Sequence, residues 1–312
     1  MHLSGLHHVT MITGDAQRNV AFHAGVLGLR FVKRTVNFDA PHYYHLYFGD
    51  EAGSPGSILT WFEFPGAVRG TCGPGMIHTI RLGVPSSASL DFWGERLAGH
   101  DAACARGDAS LSFADPDGLR YELVVADPRS RALQALSPDI PAEHAITGVT
   151  GVRAYATGAL GADRELLTQT LGFTETAPGE YVLEGADGPV TYGYDMTDSP
   201  GREGAGTVHH IAWHSRDEDH GAWRERVMQA GHSVTPVVDR DYFQAIYFRQ
   251  PQRVLFEIAT TSPGFAVDEE PGRLGEQLRL PVQHEHLRAQ LERTLLPLTA
   301  PRATGAAPSG DA

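Results

Sequence analysis

An α+β fold built from four βαβββ modules in two domains is what this sequence predicts, and three observations carry the prediction. The order strand, helix and three strands recurs along the 312 residues. A His-His pair opens the first strand of the first and fourth copies, and Asp15 and Asp217 lie seven residues after His8 and His210. The closing hairpins of the second and fourth copies, Asp115-Pro-Asp-Gly-Leu-Arg-Tyr-Glu122 and Gln250-Pro-Gln-Arg-Val-Leu-Phe-Glu257, end on a glutamate at the same place.

Module one spans Leu6 to Pro65. A strand from Leu6 to Ile12 leads to Asp15, a helix N-cap, and an amphipathic helix follows through Val26 and stops at Gly28. Arg30 to Phe38, Tyr43 to Phe48 and Ser57 to Phe64 read as strands between Pro-, Gly- and Asp-containing turns. Module two has a strand at Met76 to Val84, a helix over Ser87 to Leu97 and a last strand at Leu119 to Val125. Module three, the least regular copy, starts near Gly148, carries a helix over Asp163 to Thr170 and ends near Met196. Module four begins at Thr207, has its helix over Asp217 to Ala230 and closes with Val254 to Thr260.

A Pro-, Ala- and Ser-rich link from Asp127 to His144 separates the first two modules from the last two. The expected domains are therefore residues 1–130 and 145–265. An extension, 266–312, follows, with a helix over Gln283 to Leu295 and a disordered Pro/Ala/Gly tail from Pro297.

Composition narrows the function. A hydrophobic content of 41% with 9% aromatics supports a sizeable core. The net charge of −13, without a basic cluster, argues against nucleic acid or anionic membranes as partners. No apolar run reaches membrane-spanning length and no signal peptide is recognised, so a cytoplasmic protein is expected. Cys72 and Cys104 lack metal-site spacing. Histidine, with sixteen residues, is where the chemistry is sought.

The strongest constellation is His8, His210 and Glu257. Two neutral imidazoles and one carboxylate can take one face of an octahedral ion, leaving positions open for substrate and dioxygen, as in non-haem Fe(II) enzymes. Repeat alignment gives Thr60 as the module-one counterpart of Glu257, so this site has three protein ligands rather than four. Modules two and three offer His78 and Glu122, but no histidine near Val152 and no carboxylate near Tyr192, and their site reads as vestigial. A lone strand histidine is usually an ordinary core or surface residue, and His78, His42 and His45 are read so. Glu122 is read as a relic or ion-pair partner and Glu63 as a solvated strand-end charge.

These modules resemble the vicinal oxygen chelate superfamily, the glyoxalase, bleomycin resistance and extradiol dioxygenase group, whose βαβββ units pair into cupped mixed β-sheets around a metal. Within it, Leu6-His-His-Val-Thr10, Tyr44-His-Leu-Tyr-Phe-Gly49, Val208-His-His-Ile-Ala-Trp213, Asp239-Arg-Asp-Tyr-Phe243, Ile246-Tyr-Phe-Arg-Gln-Pro251 and Leu255-Phe-Glu-Ile-Ala-Thr260 look like the ring-cleaving hydroquinone dioxygenases. The tail segment Leu280-Pro-Val-Gln-His-Glu-His-Leu-Arg288 is similar too, although His284 and His286 alter its pattern and Glu63 replaces a more usual proline.

The resemblance implies Fe(II), with Mn(II) as the alternative, on His8, His210 and Glu257, and a 1,4-dihydroxybenzene and O2 as partners. It places Thr10 close to the metal site, Arg240 and Tyr247 against the bound phenol, and His7 and His209 beside the ligands. Because successive strand residues face opposite ways, His7 and His209 are expected to support the site rather than touch the metal. Tyr247 or His209 is expected to move protons, and Arg240 to stabilise a phenolate. Three other readings stay open: an extradiol catechol dioxygenase, a glyoxalase-like isomerase or thiol transferase, and a metal-free small-molecule binder. A homo-oligomer is compatible with the pattern, although no specific patch points to it.

Overall fold

The computed structural model describes residues 1–300. Module one contains β1 (Leu6–Thr13), α1 (Ala16–Val20) running on into a π-helical turn (Ala21–Val26), β2 (Arg30–Val36), β3 (Tyr44–Gly49) and β4 (Ile58–Glu63). Module two contains β5 (Ile77–Val84), α2 (Ser87–Gly99), β6 (Cys104–Arg106), β7 (Ser110–Ala114) and β8 (Arg120–Val125). Module three is complete: β9 (Val149–Ala156), α3 (Gly161–Glu165) with its own π-helical continuation, β10 (Thr174–Ala177), β11 (Glu180–Gly185) and β12 (Gly188–Met196). Module four contains β13 (Val208–His214), α4 (His220–Gln229), β14 (Val238–Asp239), β15 (Gln244–Arg249) and β16 (Leu255–Ala259).

The local signals act as expected. Asp15 caps α1 by accepting from Arg18 N at 2.9 Å. Gly28, at φ 68°, turns the chain out of the helical segment. The start of α2 carries a cap that the sequence reading does not name, Ser86, and Leu90, Trp93 and Leu97 of this helix are buried on one face. Glu63 is the exception. It is buried, not solvated, and accepts from Ala16 N at 3.0 Å, so it closes the start of α1 from a neighbouring strand.

Two mixed, curled sheets result, each of eight strands. The first runs β14-β15-β16-β13-β1-β4-β3-β2 and combines modules one and four through the antiparallel pair β1 and β13. The second runs β10-β11-β12-β9-β5-β8-β7-β6 and combines modules two and three through β5 and β9. Each sheet thus draws strands from both sides of the 127–144 link. Within a module the first and last strands are parallel, as in β1 with β4 and β13 with β16.

The connections 64–76 and 197–207, which carry the chain between the sheets, lie against each other. Thr71 and Arg202 exchange backbone hydrogen bonds of 2.9 and 2.8 Å. Glycine permits the approach, since a Cβ on Gly73 would sit 2.2 Å from Gly201 N. Trp61, Trp93, Trp213 and Trp223 are all fully buried.

The extension covers β2, an edge strand of the first sheet. Arg279 N donates to Arg34 O at 2.9 Å, and Leu280 and Leu291 bury Val36. Lys33 is entirely buried and donates to Phe265 O at 2.9 Å, to Asp268 at 2.6 Å and to Glu269 at 2.5 Å. The predicted helix is a 3-10 turn (Val282–Leu287) followed by α5 (Arg288–Thr294). Residues 297–300 are not free: Leu298 is buried and Thr299 makes two hydrogen bonds to the Gln17 side chain. The rest of the expected tail, 301–312, lies outside the described residues. No helix among the described residues is long and apolar enough to cross a membrane.

Candidate metal centre

The first sheet's concave face gathers the site. Alternation along β1 sends His8 and Thr10 to one side of the strand. The β1–β13 ladder sets Thr10 opposite His210, and the β13–β16 ladder sets Ala212 opposite Glu257. Residues 8, 210 and 257 are 2%, 5% and 0% exposed.

Their ligand atoms form a small triangle. His8 Nε2 is 3.2 Å from His210 Nε2 and 3.5 Å from Glu257 Oε2, and His210 Nε2 is 2.9 Å from the same oxygen. Among the described residues this is the group of histidine, cysteine and carboxylate side chains that converges closely enough to hold an ion. Ligands adjacent on an octahedron, with bonds of about 2.1 Å, are separated by roughly 3 Å, the spacing seen here. Neither carboxylate oxygen has an aligned hydrogen-bond donor among the described residues, although both are buried. Such a carboxylate is costly unless an ion meets it.

The protonation states suit a cation. Burial lowers the His210 imidazole to about 4 despite the facing carboxylate, so it is neutral at physiological pH with a lone pair available. Burial alone would raise Glu257, but the His8 and His210 imidazoles outweigh it and hold the carboxyl well below the usual range.

Behind each imidazole stands another. His7 Nδ1 lies 2.8 Å from His8 Nδ1, and His209 Nδ1 lies 2.8 Å from His210 Nδ1. Burial, with His8 adjacent, keeps His7 neutral. These contacts orient the rings so that Nε2 points into the site. His7 packs on Phe243 at a centroid distance of 4.9 Å, whereas His209 is exposed.

Tyr247, on β15, lies opposite Glu257, and its ring is 5.9 Å from that of His210. Arg240 Nε donates to the Tyr247 hydroxyl at 3.0 Å, while its guanidinium lies 5.2 Å over Phe38 and is 3.6 Å from Asp39. Burial and Glu257 raise the Tyr247 phenol well above its ordinary value, so it keeps its proton.

The opposite wall holds residues that sequence reasoning missed. Tyr47 lies opposite Thr60 as Tyr247 lies opposite Glu257, and His45 stands beside both, 2.9 Å from the Tyr47 hydroxyl and 2.8 Å from Thr60 Oγ1. Tyr47 precedes Thr60 by 60 − 47 = 13 residues and Tyr247 precedes Glu257 by 257 − 247 = 10, so the longer hairpin hides the match.

Among the described residues the second sheet has no equivalent site, and its register corrects one alignment. Thr79 lies opposite Arg153 as His8 lies opposite Ala212, so Thr79, not His78, takes the place of His8. His78 occupies the His7 position and keeps that contact, with its Nδ1 2.9 Å from Thr79 Oγ1. By the same ladders the counterparts of His210 and Glu257 are Gly151 and Gly193, each one residue from the predicted Val152 and Tyr192. Glu122 is held by Arg81 at 2.7 Å, and Arg153 pairs with Asp195 and Glu180. Ion pairs occupy the centre of this cup.

A cavity of about 510 Å³ lies apart from the triad, between Gly28–Phe31, residues 136–139 and residues 272–276.

Comparison with known proteins follows this geometry closely. The profile of the Glyoxalase/Bleomycin resistance protein/Dioxygenase superfamily matches residues 5–123. A Bacillus subtilis protein named "Putative ring-cleaving dioxygenase MhqO" is 41% identical over 305 residues, covering 94% of this chain and 96% of that one. The chain belongs to this superfamily. Another relative in it, "Chlorohydroquinone/hydroquinone 1,2-dioxygenase" of Sphingobium indicum, is 32% identical over 94% of this chain and 96% of its own. A crystal structure described as a "putative dioxygenase" from Bacillus subtilis superposes with a TM-score of 0.88 at 38% identity, over 96% of this chain and 99% of that one. Glyoxalase I from Zea mays shares the superfamily fold at a TM-score of 0.57 and 13% identity, over 82% of this chain and 92% of its own.

Proposed function

We propose that the protein is an Fe(II)-dependent ring-cleaving dioxygenase acting on 1,4-dihydroxybenzenes, with Mn(II) as the alternative ion. The carrying observation is the buried His8, His210 and Glu257 triangle, beside which Thr60 stands in place of a fourth ligand. A three-ligand set leaves coordination positions open, whereas a closed set would not. The names of the two relatives support the reaction class, and the Sphingobium name supports the substrate class.

Iron(II), when bound, would supply open positions and a path by which electrons pass from the phenol ring, the reductant, to dioxygen. The protein's own groups do the rest. His7 and His209 hold the two ligand imidazoles in orientation. Arg240 donates to the oxygen of Tyr247, so the Tyr247 proton is left to face a phenolic oxygen in the cup. The guanidinium adds a fixed positive charge where a phenolate is bound or negative charge develops. Thr10 offers a neutral hydroxyl from the neighbouring strand. Phe62, 6.4 Å from His210 between ring centroids, and Phe243, 5.3 Å from His8, supply apolar walls for an aromatic ring.

Oxygen uptake by anaerobically iron-loaded protein tests this against hydroquinones, catechols and methylglyoxal thiol adducts. Uptake with ring opening is expected to be fastest with hydroquinones. A clear preference for catechols overturns the substrate assignment, and isomerisation of the thiol adduct without oxygen uptake overturns the reaction class.

A further inference from the structure

Across the cup from Tyr247, four side chains form a hydrogen-bonded row that the chemistry above leaves largely unused. The Tyr47 hydroxyl is 2.9 Å from His45 Nδ1, His45 Nε2 is 2.8 Å from Thr60 Oγ1, and Thr60 donates to Thr10 Oγ1 at 3.0 Å. The repeat shows that this row is particular to one half of the sheet. In module four the positions of His45, Thr60 and Thr10 are taken by Ala245, Glu257 and Ala212, and only the tyrosine is common to both.

The direction of each proton follows from the geometry. Thr60 has a single hydroxyl proton and gives it to Thr10. Its oxygen must then accept from His45, so Nε2 carries the imidazole proton. Burial, with His8, His210 and Arg240 near, keeps His45 neutral, which leaves Nδ1 bare to accept from Tyr47. The Tyr47 phenol is itself raised by burial and keeps the proton it donates. Thr10 is the end of the row. Its oxygen already accepts, and its own proton has no acceptor among the described side chains. It shares a strand face with His8 and lies opposite His210.

The geometry points to His45 and Tyr47 as positioning residues that fix the Thr10 hydroxyl as a hydrogen-bond donor toward an anionic substrate oxygen beside His8 and His210. Tyr247 is set the same way, because its oxygen accepts from Arg240. Two donors from opposite walls then converge on the bound ligand, an arrangement that selects an ionised phenol over an ether or ester. The inference rests on the dioxygenase reading only for the identity of that oxygen; the proton order is a property of the protein alone.

Two measurements test it. The full chain, labelled with 15N-histidine and studied at neutral pH with and without diamagnetic Zn(II), gives long-range 15N–1H correlations for each imidazole, with His45 assigned from the signal lost in His45→Gln. A neutral Nε2–H tautomer is expected, moving toward Nδ1–H in Tyr47→Phe. An Nδ1–H or doubly protonated His45 in the wild type overturns the proposal. In the iron-loaded enzyme, Thr60→Val is expected to raise the KM for hydroquinone roughly tenfold with iron content and kcat near wild type, and Thr60→Ser to restore it. An unchanged KM in Thr60→Val, or no rescue by Thr60→Ser, overturns it. If the wild type takes up no oxygen with any hydroquinone, the dioxygenase proposal fails and the tautomer alone decides the role of His45.

Discussion

Thr60 holds in one half of the first sheet the place that Glu257 holds in the other: Thr60 lies opposite Thr10 and Tyr47, and Glu257 lies opposite Ala212 and Tyr247. One exchange of side chain between two repeats therefore separates a site of three protein ligands from one of four.

Reversing that exchange tests its meaning. Thr60→Glu should hold a divalent metal more tightly than the wild type while oxygen uptake falls at least about tenfold, because a fourth ligand, the second carboxylate of the set, fills a position that substrate needs. Chelator competition and an oxygen electrode read the two effects. Tighter metal with unchanged turnover would count against the open-site argument.

The ligands and the histidines behind them should separate by degree. His7→Ala and His209→Ala are expected to weaken metal affinity by about 10- to 100-fold, as loss of an orienting partner does. His8→Ala, His210→Ala and Glu257→Ala should each exceed that range. Metal content after dialysis against graded chelator concentrations gives the order.

Tyr247→Phe removes the proton that Arg240 leaves facing the cup but none of the three ligands. Turnover of hydroquinone should fall by about 100-fold with metal content unchanged. Loss of metal in parallel with activity would mean that Tyr247 shapes the centre rather than handling a proton.

His23 gives a pH dependence. It is fully buried, donates from Nδ1 to Asn19 O at 3.0 Å, and burial lowers it to about 3. Its folded value lies below the unfolded value, so the unfolded chain binds more protons between the two and stability falls as pH drops from about 6.5 toward 3. At pH 5 the loss is about 2 kcal/mol. His23→Asn, which keeps an amide donor, should flatten urea midpoints compared at pH 7 and 5. An equal slope in both proteins would remove His23 as the source.

Lys33→Met leaves the buried Glu269 with Arg279, at 4.0 Å, as its remaining cation and releases Phe265 O. A loss of about 3 kcal/mol is expected, together with faster proteolysis within 262–280. Asp268 is partly exposed and contributes less. Unchanged cleavage in that segment would show that Lys33 does not fasten the extension.

Much of this was legible in the chain because it is local. A helix cap such as Asp15 acts on a backbone atom three residues away, and alternation along a strand assigns side chains to faces without any partner strand. Four repeats on one plan also allowed His8, His210 and Glu257 to be compared across 249 residues (257 − 8). Register is different, because shifting a strand by one residue turns every side chain to the other face and local sequence does not fix which pairing wins. For that reason the chain alone pairs His78 with His8, whereas the β5–β9 ladder gives that place to Thr79. Glu63 reads as an exposed charge until α1 is seen to begin beside it. His45 looks ordinary until β3 and β4 bring it between Tyr47 and Thr60. Sequence by itself determined the modules, their caps and the residue types able to hold a metal. Tertiary structure decided which of those residues meet, since hydrogen bonds and ion pairs depend on ångström-scale distances between strands that the chain order leaves free.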